Sequence, residues 1–308
     1  TMSFSPIRVE NISKGMRVAG KQFGAFVSQM AGGQPKGAFI FSDALSGNGT
    51  ELVRGVFEVL GTGFPLMGGA AGDDMAFKKT YQYFNDEVLC DAAVGFAVAG
   101  NVSFAAGADH GWRPIGNELT VTKAEGTTLY ELDGKPAFSI YEDYFGDLAK
   151  EFKNALSLPA VTYPLGMKIG EGAAEYYMIR VPLAVKNDGS IVCGAEVIEG
   201  SKVRLMIGDI NAALLAAEAR AKSIVEKTAD SRPRLAFLSD CVARKVLFGR
   251  RIGEEIENLN EYRAEGIVLF GFYSYGQIAP LREIPANVNT CDPGFYEQSL
   301  SIAVMGEE

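Results

Sequence analysis

The sequence predicts an α/β (α+β) protein of two related lobes, each a mixed β-sheet covered by helices. Two observations carry this. Short runs that are apolar throughout, such as Ala38 to Phe41 and Ile267 to Phe270, have the length and character of strands buried on both faces. The first run with its tail, Ala38-Phe39-Ile40-Phe41-Ser42-Asp43, is echoed by Leu235-Ala236-Phe237-Leu238-Ser239-Asp240, and the elements around the two follow one order. Internal duplication, relating residues 37–100 to 234–306, explains that order. A chance match is the alternative, since apolar strands ending in Ser-Asp are not rare.

Each element follows from a local pattern. Residues 13–31 place Met16, Ala19, Phe23, Phe26, Val27 and Met30 on one helical stripe, with Ser13 as cap. After the strand at 37–41, a second helix from Thr50 to Leu60 directs Leu52, Val53, Val56, Phe57 and Leu60 to the core. Strands are expected at Thr80 to Phe84, Cys90 to Ala99 and Val102 to Ala108. The middle of the chain is β-rich: Glu118 to Lys123 and Thr127 to Leu132 alternate, and Asn187-Asp188-Gly189 joins Tyr176 to Val185 with Ile191 to Val197 as a hairpin. Pro136 to Leu156 reads as one helix. A strand at Val203 to Ile207 precedes an Ala-rich helix from Ile210 to Val225, and a further helix is expected near Ile252 to Tyr262. The strand Leu300 to Gly306 closes the second half as Ala93 to Gly100 closes the first. The lobes are expected at residues 1–108 and 109–308.

Composition narrows the function. The 308 residues hold 29 Lys and Arg against 38 Asp and Glu, a net charge of −9 that disfavours nucleic acid and anionic membrane surfaces as partners. The single histidine, His110, excludes any site built on two imidazoles. Cys90, Cys193, Cys241 and Cys291 are too scattered for a CxxC motif, so reduced thiols in the cytoplasm are expected. The opening ten residues lack the apolar core of a secretory signal, and the longest uncharged stretch, Ala92 to Ala108, reads as two strands around a Gly100-Asn101 turn. The chain reads equally as a whole protein or as a piece of a longer one.

The candidate motifs each carry a plain structural reading beside the functional one. The turn Gly68-Gly69-Ala70-Ala71-Gly72-Asp73-Asp74 lets a ligand approach the backbone, or simply forms a tight turn. It is neither a dinucleotide fingerprint nor a P-loop. Ser274, with Gly276 two residues on, approaches a nucleophile elbow, but Phe272 replaces the leading glycine, and the base for Ser274 or Cys241 would have to be His110. Cys241 at a helix start is either a thiol of lowered pKa or an inert buried one. The segment Asp109 to Gly116 concentrates the only His and the only Trp beside Arg113, which suits a site or a core plug.

With these turns in view, the chain resembles the FIST proteins (F-box and intracellular signal transduction). The residues that carry the resemblance are Phe41-Ser42-Asp43, Gly68 to Asp73, His110 to Gly116, Glu131-Leu132-Asp133-Gly134-Lys135-Pro136-Ala137, and Gly271 to Ile278, in family order. The resemblance implies a sensory module of FIST-N and FIST-C parts that binds a small ligand, amino acids or related metabolites being proposed, and that acts on a signalling output domain or partner. Three departures stand out. An opening αβ stretch of FIST-N is expected to be missing, Gln277 stands in place of Glu, and Phe295-Tyr296-Glu297-Gln298-Ser299 replaces a His-Asn-Glu/Gln-Thr pattern. Some members sense nitric oxide through haem; the loss of that histidine argues against haem here, and no cofactor is expected.

These readings converge on one expected site, in a binding module without catalytic residues. Asp43, Gly68, Gly69 and Asp73 would meet His110, Trp112 and Arg113, together with Asp240, Tyr273, Tyr275 and Gln277. Arg113 would fork onto a ligand carboxylate, an aspartate would take its ammonium group, and the aromatic rings would form the walls.

Overall fold

In the computed structural model, which describes residues 2–30, 33–153, 155–172, 175–280 and 294–307, the chain opens with an edge strand, β1 (Met2–Glu10). Helix α1 (Met16–Ser28) buries Met16, Ala19, Phe23 and Val27, whereas Phe26 of the expected stripe is exposed. β2 (Pro35–Asp43) and β3 (Leu66–Ala71) pair in parallel through α2 (Gly49–Leu60). α1 and α2 touch backbone to backbone: a Cβ on Gly20 would lie 2.0 Å from the Leu52 carbonyl oxygen. A small hairpin, β4 (Gln82–Phe84) and β5 (Glu87–Leu89), precedes β6 (Ala92–Gly100), which runs antiparallel between β1 and β2.

β7 (Val102–Asp109) lies on the first-lobe side of the expected 108/109 division but hydrogen-bonds in the second sheet. An antiparallel unit follows: β8 (Arg113–Glu125), β9 (Thr128–Leu132), β10 (Lys135–Pro136), α3 (Ser139–Phe145), α4 (Leu158–Thr162), β11 (Leu165–Ile169), β12 (Tyr176–Arg180), β13 (Pro182–Val185), β14 (Ile191–Cys193) and β15 (Lys202–Ile207). Its sheet order is β12-β11-β15-β8-β9-β14-β13, with β10 added to β9. The two outer strands, β12 and β13, are separated in sequence only by Val181, so the sheet must curl until its edges meet. The expected helix from Pro136 to Leu156 is broken at Gly146, whose φ of 53° leads into a 3₁₀ stretch. The expected hairpin forms only between β13 and β14, because β12 pairs with β11 instead.

The chain then completes the second lobe with α5 (Ile210–Lys227), β16 (Pro233–Cys241), α6 (Val242–Phe248), α7 (Glu254–Asn258), α8 (Asn260–Ala264), β17 (Val268–Ser274), β18 (Gly276–Ile278), β19 (Phe295–Tyr296) and β20 (Leu300–Glu307). The helix expected near 252–262 is thus two short ones.

The duplication is visible in the hydrogen bonding. β1-α1-β2-α2-β3-β6 in the first lobe matches β7-α5-β16-α6 to α8-β17-β20 in the second. In each, the first strand pairs antiparallel with the last, the last antiparallel with the second, and the second parallel with the third. The curled sheet is inserted between the first strand and first helix of the second repeat. The first repeat has every element of the second, beginning with β1, α1 and β2, and the FIST-N opening expected to be missing is not among the elements this correspondence needs.

The two sheets, β1-β6-β2-β3-β18-β19 and β17-β16-β20-β7, face each other across one apolar core. Phe39 stacks on Phe96 at 4.8 Å and meets Phe104 and Phe237 of the opposite sheet edge-on at 5.3 and 5.4 Å. Helices cover the outer faces. One expectation fails here. β17 is apolar yet largely exposed, because among the described residues it is the outermost strand of its sheet, whereas its counterpart β3 is flanked by β18.

Candidate functional site

β2 and β16 end side by side on Ser42-Asp43 and Asp240-Cys241, each leading into a helix start. A cavity of about 90 Å³ lies at these carboxyl ends, where α/β sheets characteristically take ligands. Its floor is Ser42, Asp43, Ala70 and Cys241; the turns into α2 and α6 form its sides. Tyr275 and Phe77, stacked at 4.8 Å, close one end. The inserted unit closes the top with Leu156, Val181, Leu183 and Gly194, and Phe295 and Glu297 complete the wall. The Phe295 ring is wedged so tightly that a Cβ on Gly49 or Gly276 would lie 2.3 or 2.2 Å from it.

Two carboxyl groups line this cavity, and no Lys, Arg or His does so among the described residues. Asp43 accepts from the Leu45 N–H at 2.8 Å, the Thr80 hydroxyl at 2.7 Å and the Asp91 N–H at 2.9 Å, so it also fastens both ends of the segment that carries β4 and β5. Glu297 is buried and accepts from the Val181 N–H at 3.2 Å and from the Ala195 N–H. Burial pushes its carboxyl up to about 8, against the pull of the Arg180 charge and those two N–H groups. A Cβ on Gly194 would lie 2.0 Å from Glu297 Oε1, so glycine is what leaves room for the carboxyl. The neighbouring Gln298 sits at φ 54°, a conformation uncommon outside glycine. In the sequence, Glu297 stands out only as part of a departure from a family pattern, a lone acid in an aromatic run.

The expected site divides into parts. The turns Gly68 to Asp74 and Tyr273 to Gln277 do meet, since Gly276 pairs with Ala70 and Gln277 with Gly69. Of the glycines, Gly72 serves that contact, since a Cβ there would lie 2.8 Å from the Tyr275 ring, whereas one on Gly68 would strike the Ile40 carbonyl of β2 and one on Gly69 would lie 2.4 Å from Ser239 Oγ of β16. Asp73 accepts from the Phe77, Lys78 and Lys79 N–H groups and from the Tyr275 hydroxyl at 2.5 Å. The Tyr275 bond first, then those N–H groups, hold its carboxyl well below the usual range. It is a turn fastener, not a free ammonium acceptor.

The segment His110 to Arg113 is elsewhere, which corrects the expected convergence. Gly111, at φ 84°, lies against α5, where a Cβ would be 2.6 Å from the Ala212 carbonyl oxygen. His110 is buried, with Nε2 2.8 Å from the Tyr177 carbonyl and Nδ1 accepting from the Trp112 N–H. Trp112 Nε1 donates to the Val161 carbonyl. Arg113 is exposed at the start of β8 on a separate open groove against α5. The chain leaves the second sheet here for the inserted unit, and that change of sheet carries these side chains away from the strand ends.

Asp240 is buried in an ion cluster with Arg244 at 3.0 Å, and Arg244 also binds Glu255. Burial first, and then Glu255, raise the Asp240 carboxyl well above its usual range. Tyr273 is partly exposed on the outer strand, with Lys245 over its ring. Ser274 is fully buried: its hydroxyl meets Ser239 Oγ at 2.9 Å and takes a bond from Gln277 Nε2 at 2.9 Å, while Gln277 Oε1 accepts from Ser299. Both nitrogens of His110 are engaged elsewhere, so neither Ser274 nor Cys241 has it as a base. The Cys241 thiol lines the cavity but is pushed up to about 11 by burial, despite N–H groups of Ala243 and Gln298 directed at it. This corrects the lowered thiol considered from its helix-start position. Cys291 lies outside the described residues.

Residues 2–135 match the model of the FIST N domain and residues 137–280 that of the FIST C domain. The chain belongs to the FIST family. FIST domains are sensory domains of signal transduction. An uncharacterized protein of Methanocaldococcus jannaschii is 31% identical over 238 residues, covering 72% of this chain and 43% of its own length. Uncharacterized proteins from two strains of Mycobacterium tuberculosis are 26% identical over 242 residues, covering 73% of this chain and 60% of theirs. The chain therefore spans about half the length of the curated relatives it matches. The one imidazole, the side chain a histidine-ligated haem would need, is buried with Nε2 against the Tyr177 carbonyl and Nδ1 on the Trp112 N–H. No described helix is long and apolar enough to cross a membrane.

Proposed function

We propose that this FIST chain is a binding module that senses a compact, amine-bearing molecule of amino-acid size, in the cytoplasm, and passes its occupancy to a signalling output domain or partner. The observation that carries this is the cavity at the joined ends of β2 and β16, with Asp43 and Glu297 in its wall and, among the described residues, no cationic side chain lining it. Such a lining favours a protonated amine and disfavours a free anion. Ala70, Val242, Leu183, Tyr275 and Phe295 supply the apolar contacts that set size. A zwitterion fits if its carboxylate meets the backbone N–H groups at the start of α2, a role first expected of Arg113.

A binding role without catalysis is supported by the same geometry. Ser274 lies in a hydroxyl–amide cluster without an acid–base partner, and Cys241 is a neutral thiol at pH 7. The test is calorimetry with the twenty amino acids and a set of primary amines, on the wild-type chain and on Glu297→Gln. Binding of an amine, weakened at least tenfold in the variant, supports the reading. Binding confined to anions, or stoichiometric labelling of Ser274 by a serine-reactive probe, would overturn it.

A further inference from the structure

The outer strand β17 is unlike every other long strand of the two lobes. Its residues Val268, Phe270, Phe272 and Tyr273 are 60%, 48%, 36% and 37% exposed, and no residue from Val268 to Ser274 is charged in a chain of net charge −9. Folded monomers usually protect an edge with lysine, proline, a bulge or a short strand. β17 has none of these: seven residues pair with β16 in unbroken parallel register. The matching strand β3 shows what such an edge accepts, since β18 adds to it antiparallel, Gly276 opposite Ala70 and Ile278 opposite Gly68. Among the described residues, nothing pairs with the outer side of β17.

The sequence of the strand is its own complement. Gly271 is the middle residue of β17, with a phenylalanine on each side. Two copies paired antiparallel about Gly271 would set each Phe270 opposite the other copy's Phe272, and each Val268 opposite Ser274. Both phenylalanines face the inter-sheet core, Phe270 against Phe237 at 5.0 Å and Phe272 against Phe41 at 5.9 Å. The pairing would therefore extend an existing aromatic row with cross-strand aromatic pairs. An uncharged contact is also where two acidic chains repel least.

We propose that β17 is the docking edge for a second copy of this chain, in a two-fold dimer whose two β17 strands pair antiparallel about Gly271. A two-fold axis through one residue gives each copy the same contacts and closes the assembly at two. The test is analytical ultracentrifugation of the full chain over a ~100-fold dilution series, joined to hydrogen exchange of the β17 amides at both extremes. The expected result is a reversible dimer whose β17 amides lose protection on dilution. Val268→Lys, at the most exposed position, and Phe270→Lys should each weaken it at least ~10-fold while circular dichroism stays unchanged. Three results would overturn the proposal: a monomer at every concentration, a dimer indifferent to both substitutions, or β17 amides equally protected at all dilutions, which would mean that the chain covers this edge itself.

Discussion

Asp43 and Asp240 end equivalent strands, each after an apolar run and a serine, and the chain uses them in opposite ways. Asp43 faces the cavity and is held by neutral donors, a hydroxyl and two backbone N–H groups. Asp240 turns away to Arg244, which also meets Glu255, the His110 carbonyl and the Ala213 carbonyl. The pair teaches that duplication preserves a strand end without preserving its chemistry. One copy became the wall of a site and the other an internal brace. The edges diverged in parallel, since β3 is flanked by β18 while no described residue pairs with the outer side of β17.

The sharpest way to break the comparison is at Arg244, for which Asp43 has no equivalent. Arg244→Ala leaves Asp240 and Glu255 buried without a cation, and removal of one partner from such a cluster typically costs ~3–5 kcal/mol. Urea unfolding should show that loss. A change below ~1 kcal/mol would mean that the brace is not ionic.

Next is the pH response of the cavity wall. Glu297 is raised to about 8 in the fold from a usual 4.5, so the folded state holds more protons than the unfolded chain between those values. Its contribution to stability is full below 4.5 and is lost as pH rises through 8, a change on the order of 5 kcal/mol. Glu297→Gln should flatten that fall, measured as the difference between wild-type and variant unfolding free energies from pH 5 to 9. Parallel curves for the two proteins would show that the carboxyl is ionised throughout. By the same sign, a bound amine should lower this carboxyl and release a proton near pH 7.

Asp43→Ala comes third. It removes three hydrogen bonds, two of them to the ends of the segment 80–91, at a cost of ~2 kcal/mol. Hydrogen exchange should accelerate across 80–91 and leave α7 unchanged. Equal loosening around Asp240 would deny that the two strand ends act separately.

Much of this fold was legible in the chain, for a physical reason. Strand periodicity, helical stripes and the repeated Ser-Asp ends are local properties, and they located most elements and the duplication. The curl of the inserted sheet was not legible, because nothing local says that β12 and β13, one residue apart, take opposite edges. His110 and Trp112 illustrate a second limit. Clustered polar and aromatic residues mark a place with many partners, but not whether those partners are a ligand or the protein's own carbonyls. Glu297 fails in the other direction: its chemistry comes from burial beside two segments distant in sequence, at 180–181 and 194–195. The openness of β17 was equally hidden, since an uncharged apolar run looks the same at an edge as in a sheet centre.

The smallest effect should come from the end wall, at Tyr275. Its hydroxyl donates to Asp73 and accepts from the Met75 N–H at 2.6 Å, while its ring stacks on Phe77. Tyr275→Phe keeps the ring and removes both bonds. Asp73 then retains the N–H groups of Phe77, Lys78 and Lys79, so the turn should persist at neutral pH. What changes is its response to acid. A carboxyl held below its usual range lends stability that is present above its unfolded value and disappears as pH falls through the folded one. Without the tyrosine bond, the largest cause of the depression, that fall should begin at higher pH. Carboxyl-detected NMR titration of Asp73 reads the shift directly, with amide exchange at 74–79 as its structural counterpart. An unmoved Asp73 titration in Tyr275→Phe would assign the depression to the three N–H groups alone. Tyr275 would then be a cavity wall only, as its partly buried ring already makes it.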